Sequence, residues 1–181
     1  MTTLDPKTAL VVIDLQDWIV ALPTVHPAAE IVARSRELAD AFRSQGLPVV
    51  LVTVSGGAPG RTDQGPGQPR PLGWDVLVPE MNQQPSDHAV VKRTWGAFTG
   101  TDLDEYLRGA GVTQIVLVGI ASSLGVESTA RFDHELGYHV TVVVDAVTDV
   151  SMAAHTNAVT HIFPQLGETA TTSEIIGLLS T

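Results

Sequence analysis

The chain predicts an α/β fold: a doubly wound, mostly parallel six-stranded sheet with helices on both faces, in a Rossmann-like three-layer arrangement. Three observations carry this expectation. Residues 9–13 (ALVVI), 115–118 (IVLV) and 138–144 (YHVTVVV) are apolar or nearly so, with little of the alternation of a half-exposed strand. Runs of this kind belong to strands covered on both faces, as in parallel sheets. Helical periodicity separates them, so strand and helix alternate along the chain. No repeat or shift in composition marks a boundary, and residues 1–181 are expected to form one domain.

In order, the strand 9–13 ends at Asp14, which places a carboxylate at the carboxyl edge of the sheet, where α/β proteins build their sites. A helix follows Pro27, with Ile31, Leu38 and Phe42 at helical spacing and Gly46 as its stop. Residues 47–54 form the second strand. The stretch 55–86 is dense in Gly and Pro and longer than a plain connection, which suits a lid or a disordered loop. Its Arg61, Arg70 and Trp74 either reach over a site to hold an anionic or planar substrate or merely anchor the loop. Residues 87–91 form a third strand with Lys92 at its end, followed by a loop carrying Trp95 and Phe98. Thr101 or Asp102 caps the next helix, which Gly111 closes. The fourth strand, 115–118, runs into a small-residue turn (119–123) and a helix spanning 126–136, stopped by Gly137. The fifth strand ends at Asp145. A helix over 151–162 capped by Ser151, a short strand at 168–171 and a helix at 173–179, capped by Thr172 or Ser173, complete the chain.

Composition narrows the function classes. Apolar residues make up 44% and charged residues 17%, as in a globular protein, and the net charge of −10 argues against nucleic acid or an acidic membrane as partner. The chain has no cysteine, which excludes disulfides, thiolate metal sites and thiol nucleophiles. No apolar run approaches the roughly 20 residues of a membrane span. The first residues lack the basic start and apolar core of a signal peptide, so a cytoplasmic location is expected. The six histidines do not make a metal site: His134 and His139 are interrupted by Gly137, and His155 and His161 do not share a helix face.

Two constellations carry chemistry. Ser123 precedes Gly125 by two positions, close to the nucleophile elbow G-x-S-x-G but with Ala121 at the first glycine. Asp145 or Asp149, with His155 or His161, would supply the partners of a serine hydrolase. The other constellation is Asp14, Lys92 and the turn ending at Gly125, all at ends of buried strands. A lysine beside a carboxylate keeps it ionised or poised for proton exchange. Backbone N–H groups of Ala121 and Gly125 facing the same point would form an oxyanion hole, completing a hydrolase or lyase site.

Along nearly its whole length the chain resembles the isochorismatase-like hydrolases. The matching pieces are VVIDLQ (11–16), KRTWGAFTGTDLDEYLRGAGV (92–112) and GIASSLGVESTARFDHELGYHVTVVVDAVTD (119–149). The resemblance implies Asp14 as general acid/base, Lys92 as its partner, a cis peptide bond between Ile120 and Ala121, and a homo-oligomer (dimer or tetramer). Loop aromatics Trp74, Trp95 and Phe98 would be available to a partner subunit. The substrate is expected to be a small molecule, with Gln16, Trp95, Phe98, Ala121, Ser122 and Ser123 as candidates for lining its site. No metal and no cofactor are expected, and the metal-binding histidines of nicotinamidases are absent after Val54. Where most of the superfamily carry a nucleophilic cysteine this chain has Gly125, a pattern shared with isochorismatases proper, which cleave a vinyl ether with the aspartate. A binding protein that kept the pocket without turnover is the alternative from another class.

Overall fold

The computed structural model describes residues 3–65 and 69–180; residues 66–68 of the Gly/Pro-rich stretch lie outside the described residues. The strands are β1 (Thr8–Ile13), β2 (Val49–Val54), β3 (His88–Lys92), β4 (Gln114–Ile120), β5 (His139–Thr148) and β6 (Glu168–Ala170). They form one parallel sheet in the order β3-β2-β1-β4-β5-β6. Winding proceeds outward from β1 through β2 to β3, then restarts on the other side with β4. The ends of β1 and β4 therefore flank the topological switch point, the crevice where open α/β sheets bind ligands.

The helices are α1 (Asp17–Val20), α2 (Ala28–Ser44), α3 (Leu103–Gly109), α4 (Glu127–Glu135), α5 (Met152–Asn157), α6 (Phe163–Leu166) and α7 (Thr172–Leu179). Alternate residues of each central strand point to opposite faces, and two cores result. Leu10, Val12, Val116 and Val118 pack with Ile31, Leu38 and Phe42 of α2 and Ile175 of α7. Val11, Ile13, Ile115 and Leu117 pack with Leu103 and Leu107 of α3, Ala130 of α4 and Phe163 of α6. The continuous apolar runs follow from this double coverage.

Several element ends differ from the sequence expectation. The short helix α1 follows Gln16, where the sequence pattern predicts no element. The helix expected over 126–136 opens with a π-turn, Ser122–Val126, before α4. The helix expected over 151–162 passes from α5 through a second π-turn, Ala158–Ile162, into α6; Ser151 caps α5 by accepting the Ala154 N–H. Asp145 does not end the fifth strand. Leu117 pairs with Val142 but Gly119 with Val147, so β5 bulges around Asp145 and continues to Thr148. The cap of α7 is Thr171, in a reciprocal box with Glu174, because the strand before it stops at Ala170.

Candidate active site

The switch point is built by close approach of main chain. A Cβ on Gly119 would lie 2.0 Å from the Ile13 carbonyl oxygen, so only glycine lets β4 end so close to β1. The next bond, Ile120–Ala121, is cis. On the β1 side Asp14 takes φ +54°, an uncommon left-handed conformation for a residue with a side chain, while its N–H donates to the Val52 carbonyl (2.9 Å). Strand end and turn thus aim the Asp14 carboxylate across the crevice.

Lys92, at the end of β3, reaches it. The Nζ donates to Asp14 Oδ2 (2.8 Å) and to the Thr94 carbonyl (3.1 Å). Both residues are buried, Asp14 at 4% and Lys92 at 1% exposure. Asp14 Oδ1 has no partner among the described residues. Burial pushes the Asp14 carboxyl up, to about 6; attraction to Lys92 and its hydrogen bond pull the other way, with a further pull from Arg70. An ion pair alone would hold a carboxyl low, whereas this one exchanges its proton near neutrality because desolvation outweighs the pair.

Gly125 closes the third side. A Cβ there would lie 3.0 Å from Asp14 Oδ2 and from Ile13 Cγ2, and 3.7 Å from Lys92 Nζ. Asp14, Lys92 and Gly125 are therefore brought together, as their positions at strand ends predict.

The other candidates separate. Gln16 is fully buried and spends its amide on structure: Oε1 accepts the Val54 N–H (2.8 Å), and Nε2 donates to the Val54 (3.0 Å) and Trp74 (3.3 Å) carbonyls. It joins the ends of β1 and β2 to the loop and has no amide group left for a substrate. Phe98 is turned into the core against Tyr138, with ring centroids 6.2 Å apart, and not into the crevice. Trp95 is 62% exposed on the surface. Ala121 is half-buried and packs partly against the α2-side core.

Ser122 and Ser123 are engaged by a residue well downstream. Asp149 Oδ2 accepts from the Ser123 N–H (2.8 Å), the Ser123 hydroxyl (2.7 Å) and the Ser122 hydroxyl (3.2 Å). Burial raises the Asp149 carboxyl, but these bonds and one from the Ser151 N–H outweigh it and hold it below the usual range. Ser122 Oγ also lies 3.0 Å from His155 Nδ1. A serine nucleophile needs an imidazole on its hydroxyl with the carboxylate behind the imidazole. Here the carboxylate binds Ser123 directly, His161 Nδ1 contacts Thr160, and Asp145 binds Thr172. These side chains do not form the elbow arrangement that is the serine-hydrolase alternative.

Three residues that hold the site were not singled out from sequence as its supports. Thr129 donates to the Gly125 carbonyl (2.7 Å) and accepts the Ala97 N–H (3.1 Å), fastening the turn to the loop after β3. Asp149 fixes the serines of the turn, and His155 braces Ser122. Thr129 follows Gly125 by one helical turn, and that spacing is the one signal that could have found it.

The isochorismatase domain matches residues 8–174, which contain every part of this constellation. The chain belongs to the isochorismatase family. It is 41% identical to YwoC, an isochorismatase family protein of Bacillus subtilis, over 94% of this chain and 93% of that one. An isochorismatase family protein from Burkholderia thailandensis superposes with a TM-score of 0.95 at 47% identity, covering 99% of this chain and 98% of that one. The ureidoacrylate amidohydrolase RutB of Pseudomonas syringae is 31% identical over 77% of this chain and 70% of its own length. Named relatives such as this one are hydrolases.

Proposed function

We propose that this single-domain hydrolase acts on a small molecule with Asp14 as general acid/base, Lys92 as its charge partner and Gly125 as the space in which the substrate meets them. The observation that carries the reading is the buried Lys92–Asp14 pair at 2.8 Å, with a carboxyl pushed up to about 6 and one oxygen without a partner among the described residues. Catalytic groups work best with a pKa near the operating pH, and strongly perturbed carboxyls gather at functional sites.

The favoured reaction is vinyl ether hydrolysis of the isochorismatase type. Asp14 gives its proton to the terminal carbon of the enol ether, water adds to the oxocarbenium ion that forms, and the hemiketal collapses to an alcohol and a keto product. Lys92 stabilises the carboxylate left behind. At pH 7 about a tenth of a carboxyl with this pKa holds the proton, enough for a general acid in rapid exchange. The chain has no cysteine, and glycine at 125 in place of a thiol nucleophile suits a mechanism without an acyl-enzyme. Likeness to RutB supports amide hydrolysis as the second reading, with ionised Asp14 activating water.

Exposed Trp95, Phe132 and Leu124 favour a homo-oligomer, for which the cytoplasm is the expected setting. Light scattering reporting a monomer at micromolar concentration would remove that part. The central experiment is a turnover screen on vinyl ethers, amides and esters, with Asp14→Asn beside the wild type. Vinyl ether cleavage should fall as pH rises through about 6, since it needs the protonated acid, whereas amide cleavage should rise through the same range. Turnover by Asp14→Asn equal to wild type overturns the mechanism, and no wild-type turnover on any class favours the binding-protein alternative.

A further inference from the structure

The chain from 70 to 78 returns to the carboxyl edge of the sheet and hangs from the residues just after Asp14. The Asp17 N–H donates to the Val76 carbonyl (2.9 Å), the Val78 N–H to the Leu15 carbonyl (3.0 Å), and the Trp18 N–H to the Trp74 carbonyl (3.3 Å). Gln16 Nε2 grips the same Trp74 carbonyl. The Arg70 guanidinium lies over the indoles of both Trp18 and Trp74, with Cζ 4.1 Å from the Trp74 ring centroid and 4.9 Å from that of Trp18.

We propose that Arg70 is the anchor of a carboxylate-binding subsite beside Asp14, so that the substrate is a small organic anion whose carboxylate sits on the guanidinium fork while its reacting bond faces the aspartate. This rests on the reading of Asp14 as the reacting group.

Stacking on an indole occupies the face of a guanidinium and leaves its in-plane N–H groups free. Among the described residues no carboxylate pairs with Arg70 and no acceptor takes its N–H groups. Arginines that only fasten this fold are treated differently. Arg43 spends its fork on Asp87 (2.6 and 3.0 Å), and Arg34 donates to the Asp145 carbonyl (2.6 Å). Arg70 instead lies over two aromatic rings with no N–H acceptor among the described residues, and a guanidinium with open donors binds a carboxylate bidentately. The loop that carries it is bonded to Asp17 and Trp18, three and four residues after Asp14. A protein of net charge −10 repels anions in general, so an anionic substrate needs such a fixed cation at the site. A neutral substrate would leave the prepared fork facing water.

The test is equilibrium binding read by tryptophan fluorescence, which Trp18 and Trp74 should report, with acetate, succinate and benzoate compared with acetamide, succinamide and benzamide. At least one carboxylate should bind wild type about tenfold or more tighter than its amide, since charge-assisted bidentate bonds are worth that much. Arg70→Gln should erase the preference, and Arg70→Lys should keep part of it. Asp14→Asn should retain it while losing turnover, so failure here and failure of the Asp14 reading are separately visible. Equal affinity for every acid and its amide in wild type overturns the proposal, and so does an undiminished preference in Arg70→Gln. If Arg70→Gln does not fold, the wild-type acid–amide comparison and Arg70→Lys still decide.

Discussion

Asp14 and Asp133 are both buried carboxyls on this chain, and they were put to different use. Asp133 sits within α4, with neither oxygen partnered among the described residues, and burial alone drives its pKa well above the usual carboxyl value. Asp14 stands at a strand end with Lys92 on one oxygen, and the same desolvation is held in check so that it titrates at about 6. Burial without a partner favours the neutral form of a carboxyl. Burial with one cation brings it to a pKa at which it both gives and takes a proton near neutrality. The lesson is that Lys92, more than desolvation, separates the usable acid from the inert one.

Four substitutions press on this contrast. The largest effect is expected from Asp14→Asn, which keeps shape but removes the proton. Turnover should drop by about 10²–10⁴-fold while the melting temperature moves little, measured as kcat/KM on whichever substrate the screen identifies.

Lys92→Met turns Asp14 into a second Asp133. With the attraction and hydrogen bond gone, the Asp14 carboxyl should rise above 6, and the midpoint of the pH–rate profile should move up with it. A drop of about 10–100-fold in rate at pH 7 is expected if the reaction needs the ionised form, and a smaller one if it needs the acid. Losing one member of a buried pair costs about 3–5 kcal/mol when the other stays charged, but Asp14 can protonate. Urea unfolding should therefore show a smaller loss at pH 5 than at pH 8. An unmoved profile would deny Lys92 its tuning role.

Gly125→Ala places a methyl 3.0 Å from Asp14 Oδ2 and Ile13 Cγ2. Something must shift by a few tenths of an ångström, and a loss of about tenfold in kcat/KM is expected because small misplacements at the reacting group are costly. Unchanged kinetics would show that the substrate does not use this space.

The smallest effect on activity belongs to Asp133→Leu, which should leave kcat/KM unchanged and stabilise the fold by about 1–3 kcal/mol at pH 8. The sign follows from the raised folded pKa: the stability linked to Asp133 is complete below the unfolded value near 3.8 and is lost as pH rises toward the folded value. The gain should accordingly shrink when unfolding is repeated at pH 4.

Strand ends were the legible part of the sequence. Asp14 and Lys92 each stand where an apolar run stops, and Gly125 follows the strand whose run is clearest, so their edge placement could be read before their contacts. Their convergence depends on β1 lying between β2 and β4, which doubly wound alternation favours. Gln16 does not line the crevice as its place after Asp14 suggests, because hydrophobic periodicity says nothing about which segment a buried amide will join, here Val54 and Trp74. Phe98 reads as a loop aromatic, yet it turns inward onto Tyr138, 40 positions downstream, a pairing across the fold that no local pattern shows. The Asp149–Ser123 bonds span 26 positions and the Ser122–His155 contact 33, distances at which no local pattern survives. The bulge that carries β5 past Asp145 is a mismatch of register with β4, invisible in either strand alone. Asp133 reads as an ordinary solvent-facing helix charge until the elements that cover α4 are in place.

The hydroxyl of Ser122 has one hydrogen and two claimants. Asp149 is ionised, and an oxygen 3.2 Å from a carboxylate with no hydrogen between them would be repelled, so that hydrogen points to Asp149. The 3.0 Å contact to His155 must then be made by a hydrogen on Nδ1, which fixes the ring as the Nδ1–H tautomer with a bare lone pair on Nε2. Burial first, and then neighbouring His26 at 4.8 Å, hold that ring below the usual imidazole pKa, so it stays neutral. The tautomer of His155 is thereby set by the Ser122 hydroxyl and the carboxylate that orients it, and ¹⁵N shifts of the His155 ring should report the uncommon tautomer directly.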